Sequence, residues 1–310
     1  MSSVPIARDS VLRRLGKKRM AFENGAVLQE RYKIRRCIDI GGASEIYLAE
    51  DKKRQNRAVV VKTPWVERSK EPPTLHLFKS EIAALAMIDH KGVVKILDAG
   101  DAAEAPFMVL EYLGGKSRLL EDTEISSVGD LFKLLYDICD ALDAVHQRGI
   151  VHRDIKPGNI FRIPDGVKLI DFQYAKVPIV PDYAAYACHP IGSPEFMAPE
   201  QTYHTPSRYV DHRADIYALG GTMYMLAGRT YSYFENHPLP FAFRSSLEWP
   251  DFVADCIKKH RTEKPIPLYP RFDRAPPRLS EILLKALEKD PEKRFQTVLE
   301  IKEALKTCRQ

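Results

Sequence analysis

Between Arg31 and Ala49, in RYKIRRCIDIGGASEIYLA, apolar and polar positions form two strand-like segments around a glycine-containing turn, and Arg57 to Lys62 ends a third that is rich in valine. This pattern predicts an antiparallel meander. The period then changes: Phe78, Ile82, Leu85 and Ile88 recur near helical spacing, which predicts a helix carrying Glu81 and Leu85 on one face. Segments 93–98 and 106–112 read as two more strands. From residue 128 onward most segments are helical. Leu131, Leu134, Leu135, Ile138, Leu142 and Val145 mark a long buried helix ending near Gly149, and further helices are expected at 215–227, 251–260 and 279–288. The chain therefore reads as α+β, with a small β-rich part at 28–113 and a larger α-rich part at 114–308, joined near Glu111–Gly115 and preceded by an extension at 1–27.

Composition narrows the class. Of 310 residues, 45% are hydrophobic and 29% charged, as in ordinary globular proteins. The net charge of +5 is concentrated at the start, where residues 1–20 hold six basic side chains (Arg8, Arg13, Arg14, Lys17, Lys18, Arg19) against Asp9. The remainder is balanced, so no nucleic-acid partner is expected. The extension is read as a solvated basic segment, or alternatively as a short amphipathic helix for a membrane surface or a regulatory partner. Five cysteines without CxxC spacing point to neither a disulfide framework nor a zinc site, and favour the reducing cytoplasm. The longest uncharged run, Ile216 to Gly228, is shorter than the roughly 20 apolar residues of a transmembrane helix, and no apolar leader follows the basic start.

Candidate chemistry lies in the loops. HRDIKPGN at 152–159 is followed by Asp171-Phe172-Gln173 and by Ala198-Pro199-Glu200. In that order and spacing, the motifs resemble the eukaryotic-type protein kinase family from about Leu28 to Leu305. ERYKIRR at 30–36 and RLSEILLKALEKDPEKRFQT at 278–297 resemble the bacterial Ser/Thr kinases within it. The resemblance implies a bilobal kinase fold and phosphoryl transfer from ATP to protein hydroxyls, a reaction governed by positioning and charge neutralisation. It implies Asp154 as the base that accepts the substrate proton, Lys156 on the transferred phosphate, and Asn159 and Asp171 as hard oxygen ligands for Mg²⁺. Lys62 is then the lysine that contacts the α- and β-phosphates, and Glu81 its ion-pair partner. For the adenine the family pattern implies Ile46 and Val60 above the ring, Phe161 below, backbone contacts from Glu111 and Leu113, and Leu110 as gatekeeper.

Several positions depart from that pattern. The nucleotide-covering loop keeps Gly41 and Gly42 but has Asp39 and Ser44 at the outer glycine positions, and Gln173 replaces the glycine after Asp171-Phe172. These changes motivate a pseudokinase as an alternative, with a small-molecule kinase as a second. Leu85, Ile96, His152 and Phe172 match the apolar column of active kinases. Glu200, Arg294 and Asp215 match structural positions. Between Phe172 and Ile191 there is no Ser or Thr to receive a phosphate that would neutralise Arg153. Asp182, or phosphate on Tyr174, Tyr183 or Tyr186, is the expected substitute. Ser193, with Lys156, favours Ser/Thr hydroxyls. Cys188 lies in the same loop as a candidate redox thiol.

Overall fold

The structure, a computed structural model, describes residues 20–41, 44–103, 105–115, 117–182, 191–202, 209–233, 249–270 and 275–309. Gly42, Tyr183, Tyr186 and Cys188 lie outside the described residues. The chain forms two compact units. One comprises Met1–Ala86 with Val94–Gly114, and the other Met87–Val93 with Gly115–Gln310.

The first unit is built on a six-stranded antiparallel sheet. In chain order the strands are β1 (Val27–Leu28), β2 (Tyr32–Ile40), β3 (Ser44–Asp51), β4 (Arg57–Pro64), β5 (Ile96–Asp101) and β6 (Pro106–Glu111), and in space β6 stands between β4 and β5. Directly opposed residues of an antiparallel ladder share a face. Ile46 pairs with Lys62, and Val60 pairs with both Leu48 and Leu110, so Ile46, Val60, Lys62 and Leu110 stand on one face. The alternate residues Tyr47, Ala49, Val59, Val61, Phe107 and Val109 form the core of the other face. Helix α1 (Pro72–Met87) buries Phe78, Glu81, Ala84 and Leu85.

Two expectations are corrected here. The strand expected at 93–98 runs instead from Ile96 to Asp101, because Val93 is bridged in parallel to Leu169. The extension expected to be separate up to residue 27 is structured from Met20, and Ala21, Phe22 and Leu28 are buried in the first unit's core. Isolated apolar residues without a period gave no sign of this.

The second unit contains helices α2 (Val128–His146), α3 (Arg213–Gly228), α4 (Trp249–Thr262), α5 (Pro277–Ala286) and α6 (Val298–Lys306) and a small sheet of β7 (Arg118–Leu119), β8 (Ile160–Ile163) and β9 (Gly166–Leu169), with α2 packed on β9. Helix α2 starts at Ser127, whose side chain accepts from the Asp130 N–H, and buries nine side chains from Leu131 to Val145. Helix α3 is buried almost all round, which makes it the element on which the loops are anchored. Helix α6 was not visible in the apolar period; Thr297 caps it through Glu300 N–H. Among the described residues no helix is long and apolar enough to cross a membrane.

Candidate active site

In the first unit, Lys62 is drawn off the sheet by Glu81 of α1. Its Nζ donates to both carboxylate oxygens, at 2.7 and 2.8 Å, and the two side chains are 8% and 2% exposed. A buried charge is tolerated only when paired and hydrogen-bonded, so each fixes the other. Glu111 and Leu113 follow at the end of β6, where the Glu111 N–H donates to the Lys95 carbonyl and its Oε1 accepts from the Lys95 N–H. At the β2–β3 turn the Gly41 N–H donates to the Ser44 carbonyl, and Asp39 Oδ1 accepts from the Ile40 N–H. Asp39 is thereby engaged with its own backbone.

In the second unit, Asp154 is 4% exposed and gathers three neighbours. Lys156 Nζ donates to Asp154 Oδ2 at 2.9 Å and to Ser193 Oγ at 2.5 Å. Asn159 Nδ2 donates to the Asp154 carbonyl and to Oδ2, both at 2.8 Å. Burial opposes ionisation of Asp154, but the Lys156 ammonium and the Ser193 hydroxyl outweigh it and hold the carboxyl below its usual range. Its Oδ1 is buried and has no hydrogen-bond partner among the described residues. It is an acceptor kept open beside a lysine and a hydroxyl.

The oxygen donors expected for a divalent metal are adjacent. Asn159 commits its amide nitrogen to Asp154, so its Oδ1 is not used in that contact. Its backbone carbonyl accepts from the Ile170 N–H at 3.0 Å, so Asp171 follows directly across the ladder. Asp171 holds φ at +62, and the Gln173 side-chain amide donates to its Oδ2 at 3.4 Å. No group of three or more His, Cys, Asp or Glu side chains able to hold a metal exists among the described residues. An amide oxygen with one carboxylate suits a hard cation that takes its other ligands from phosphate and water. Phe161 lies on β8, half-buried, paired with Lys168 and Leu119.

What holds this loop is Asp215 of α3, which is fully buried. Its oxygens accept from the backbone N–H of His152 and Arg153, at 2.8 and 2.7 Å, and its Oδ2 lies 2.9 Å from His146 Nε2. Burial resists its charge, yet His146 and the backbone donors hold its carboxyl below the usual range. Arg153 takes a φ of +66, a strained conformation for a side-chain-bearing residue. Gln201 steadies it by donating to the Arg153 carbonyl at 3.0 Å. The His152 and Phe172 rings pack at a tilt of 55°, with centroids 4.5 Å apart. Arg294 grips Glu200 through two bonds of 2.7 and 2.8 Å. The roles of His146 and Gln201 were not legible in the sequence, since each acts on a loop 6 to 48 residues away and belongs to no motif used above.

The expected site residues thus fall into two groups. Gly41, Ile46, Val60, Lys62, Glu81, Leu110, Glu111 and Leu113 belong to the first unit, and Asp154, Lys156, Asn159, Phe161 and Asp171 to the second.

The chain is similar to known proteins. The protein kinase domain matches residues 32–307. The serine/threonine-protein kinase Pkn1 of Myxococcus xanthus is 32% identical over 286 residues, covering 89% of this chain and 38% of Pkn1. A probable serine/threonine-protein kinase of Clostridium perfringens is 32% identical over 283 residues, with 89% and 38% covered. PknB of Mycobacterium leprae is 30% identical over 285 residues, with 89% and 42% covered. The chain spans about two fifths of the length of these relatives. With the match running from the first long strand through the last helix, and with the loop held by Asp215 inside it, this chain belongs to the protein kinase domain family.

Proposed function

We propose that this chain transfers the γ-phosphate of ATP to serine and threonine hydroxyls of protein substrates. The observation that carries the reading is the open Oδ1 of Asp154, held beside Lys156 and Ser193. A substrate hydroxyl placed there donates its hydrogen bond to Asp154 and gives up its proton to that carboxylate as its oxygen attacks the γ-phosphorus, while the bond from that phosphorus to the β,γ-bridging oxygen breaks and ADP leaves. Lys156, already shared between Asp154 and Ser193, faces the charge that spreads onto the transferred phosphoryl oxygens. Lys62, oriented by Glu81, holds the α- and β-phosphates. For the adenine, the first unit offers Ile46 and Val60, Leu110 as gatekeeper and the backbone of Glu111 and Leu113, and the second unit offers Phe161.

The family implies a nucleotide and a divalent metal; Mg²⁺ is the ion that the Asn159 and Asp171 oxygens fit. When bound, it would neutralise phosphate charge. Gln173 leaves Asp171 and Phe172 in place, so its substitution for glycine does not remove a donor.

Asp182 supplies the anion that Arg153 requires, and we place its action outside phosphorylation control. Cytoplasmic location and a regulatory partner for the N-terminal extension at 1–27 complete the reading. The experiment that tests it is transfer of labelled γ-phosphate from MgATP by the wild type and by Asp154→Ala, onto the protein itself and onto a generic basic protein, with phosphoamino-acid analysis. Phosphoserine or phosphothreonine made by wild type alone supports the assignment. ATP binding without transfer by either protein overturns it.

A further inference from the structure

Glu45 is 3% exposed, stands on the covered face of β3, and has no part in the chemistry proposed above. Its Oε2 accepts from the backbone N–H of Ala21 at 2.9 Å and from the Tyr47 hydroxyl. That hydroxyl accepts in turn from the N–H of Phe22 at 3.2 Å. The Phe22 ring lies 5.5 Å from Tyr47 and edge-on to Phe107 at 6.5 Å. The chain then bends at Gly25, whose φ is +90, and bonds to β2: Gly25 N–H donates to the Ile34 carbonyl at 2.9 Å, and Ile34 N–H to the Ala26 carbonyl at 2.8 Å. Residues 20–28 are thus fastened to β2 by backbone bonds and to β3 by two buried side chains.

The attachment point is the end of the turn that covers the nucleotide. Glu45 pairs with Ile40 in the last rung of the β2–β3 ladder, next to the Gly41–Ser44 bond that closes it. The following residue, Ile46, stands on the opposite face with Lys62. A carboxylate removed from water must be hydrogen-bonded to stay there. Glu45 remains beneath β3 while Ala21 and Tyr47 supply donors. Without them its lowest-cost response is to turn toward solvent, which shifts the end of β3 and the Gly41 turn with it.

We propose that Met20–Leu28 is a strap that positions the nucleotide-covering hairpin, with Glu45 and Tyr47 as positioning residues for ATP. The proposal deepens the kinase reading and rests on it. Its test uses the full chain carrying Phe22→Ala, Tyr47→Phe or Glu45→Gln. Tyr47→Phe keeps the ring in the core and removes only the relay hydroxyl, so it preserves the fold should Phe22→Ala fail. Amide hydrogen exchange at Gly41, without nucleotide, is expected to quicken in Phe22→Ala and Tyr47→Phe. The Kd and KM for MgATP are expected to rise about fivefold, as loss of one buried hydrogen bond gives, with kcat at saturating ATP within about twofold of wild type. Glu45→Gln keeps a carbonyl acceptor for Ala21 and should lie between. Unchanged Gly41 exchange and unchanged ATP affinity, with only a lowered unfolding temperature, would overturn the proposal and leave the strap a stability element. If the wild type binds no ATP, the kinase reading fails, and exchange at Gly41 still decides whether the strap holds the turn.

Discussion

Arg153 and Asp182 form a two-pronged ion pair, with both N···O distances at 2.7 Å and side chains 2% and 17% exposed. Arg153 is the residue before the open carboxylate of Asp154, and its backbone is already pinned by Asp215. A bidentate guanidinium–carboxylate contact fixes orientation as well as charge. The stretch after Asp171 is therefore tied to the loop that carries Asp154 by a permanent carboxylate, Asp182, one of the alternatives that the sequence left open.

Asp182→Ala should lower kcat by roughly tenfold or more, because breaking a pair this buried typically costs about 3–5 kcal/mol and releases Arg153 from its position. Phosphatase treatment of the wild-type protein should leave its activity intact. Kinetics with mass spectrometry check both. Activity that follows phosphate at Ser193 would sink this account.

Ser193→Ala removes an acceptor that holds Lys156 Nζ. A drop in kcat of about tenfold is expected, in line with the loss of one positioning contact to a charged group, and Ser193→Thr should recover most of it. Equal kcat in the Ala and Thr variants would exclude a positioning role for the hydroxyl.

Gly192 holds φ at +118, and a Cβ built on it would meet the Arg153 carbonyl oxygen at 2.7 Å. Gly192→Ala combines backbone strain with a contact against main chain that is already bonded to Gln201. Destabilisation by about 2 kcal/mol or more is expected in urea titration. A variant as stable as wild type would show that the loop can shift away from Arg153.

His260 is 1% exposed, with Nδ1 2.8 Å from the Tyr217 hydroxyl, and burial, aided by the Lys289 charge, pushes its imidazole down to about 3 from 6.5. The folded value lies below the unfolded one, so the unfolded chain takes up the proton first. Stability from the neutral ring is complete above pH 6.5 and is lost as pH falls toward 3. At pH 5 that loss is about 2 kcal/mol. The depressed carboxyls of Asp154 and Asp215 act in a lower window, below their ordinary 3.8. Urea titrations at pH 7 and pH 5 should show the fall in wild type and a flatter dependence in His260→Leu, where Tyr217 keeps its bond to Tyr233. The same slope in both proteins would assign the acid sensitivity elsewhere.

Much of this molecule is determined locally and could be read from the chain. Alternation around the β2–β3 turn sets two strands and the face each residue takes, since a strand's side chains must point in turn to either side. Leu131 to Val145 make a helix because their spacing gives one apolar stripe. The spacing inside HRDIKPGN keeps Asp154, Lys156 and Asn159 within reach of one another. Resemblance to a family then lent those residues their roles, and it supplied Lys62 with Glu81.

Other features depend on groups far apart in sequence, which no period or motif records. Asp215 is 61 residues beyond Asp154, yet it holds the backbone on which Asp154 depends; Gln201 reaches the same loop from another element, and His146 acts on it through Asp215. Ala21 and Phe22 sit in a basic, unpatterned segment, and only the buried donors and acceptors of Glu45 and Tyr47 draw them into the core. Asp182 and a phosphorylated loop tyrosine were alternatives in the sequence, and the fold places Asp182 against Arg153. In each case a buried charge or backbone group has to find a partner, and which partner reaches it is settled by packing.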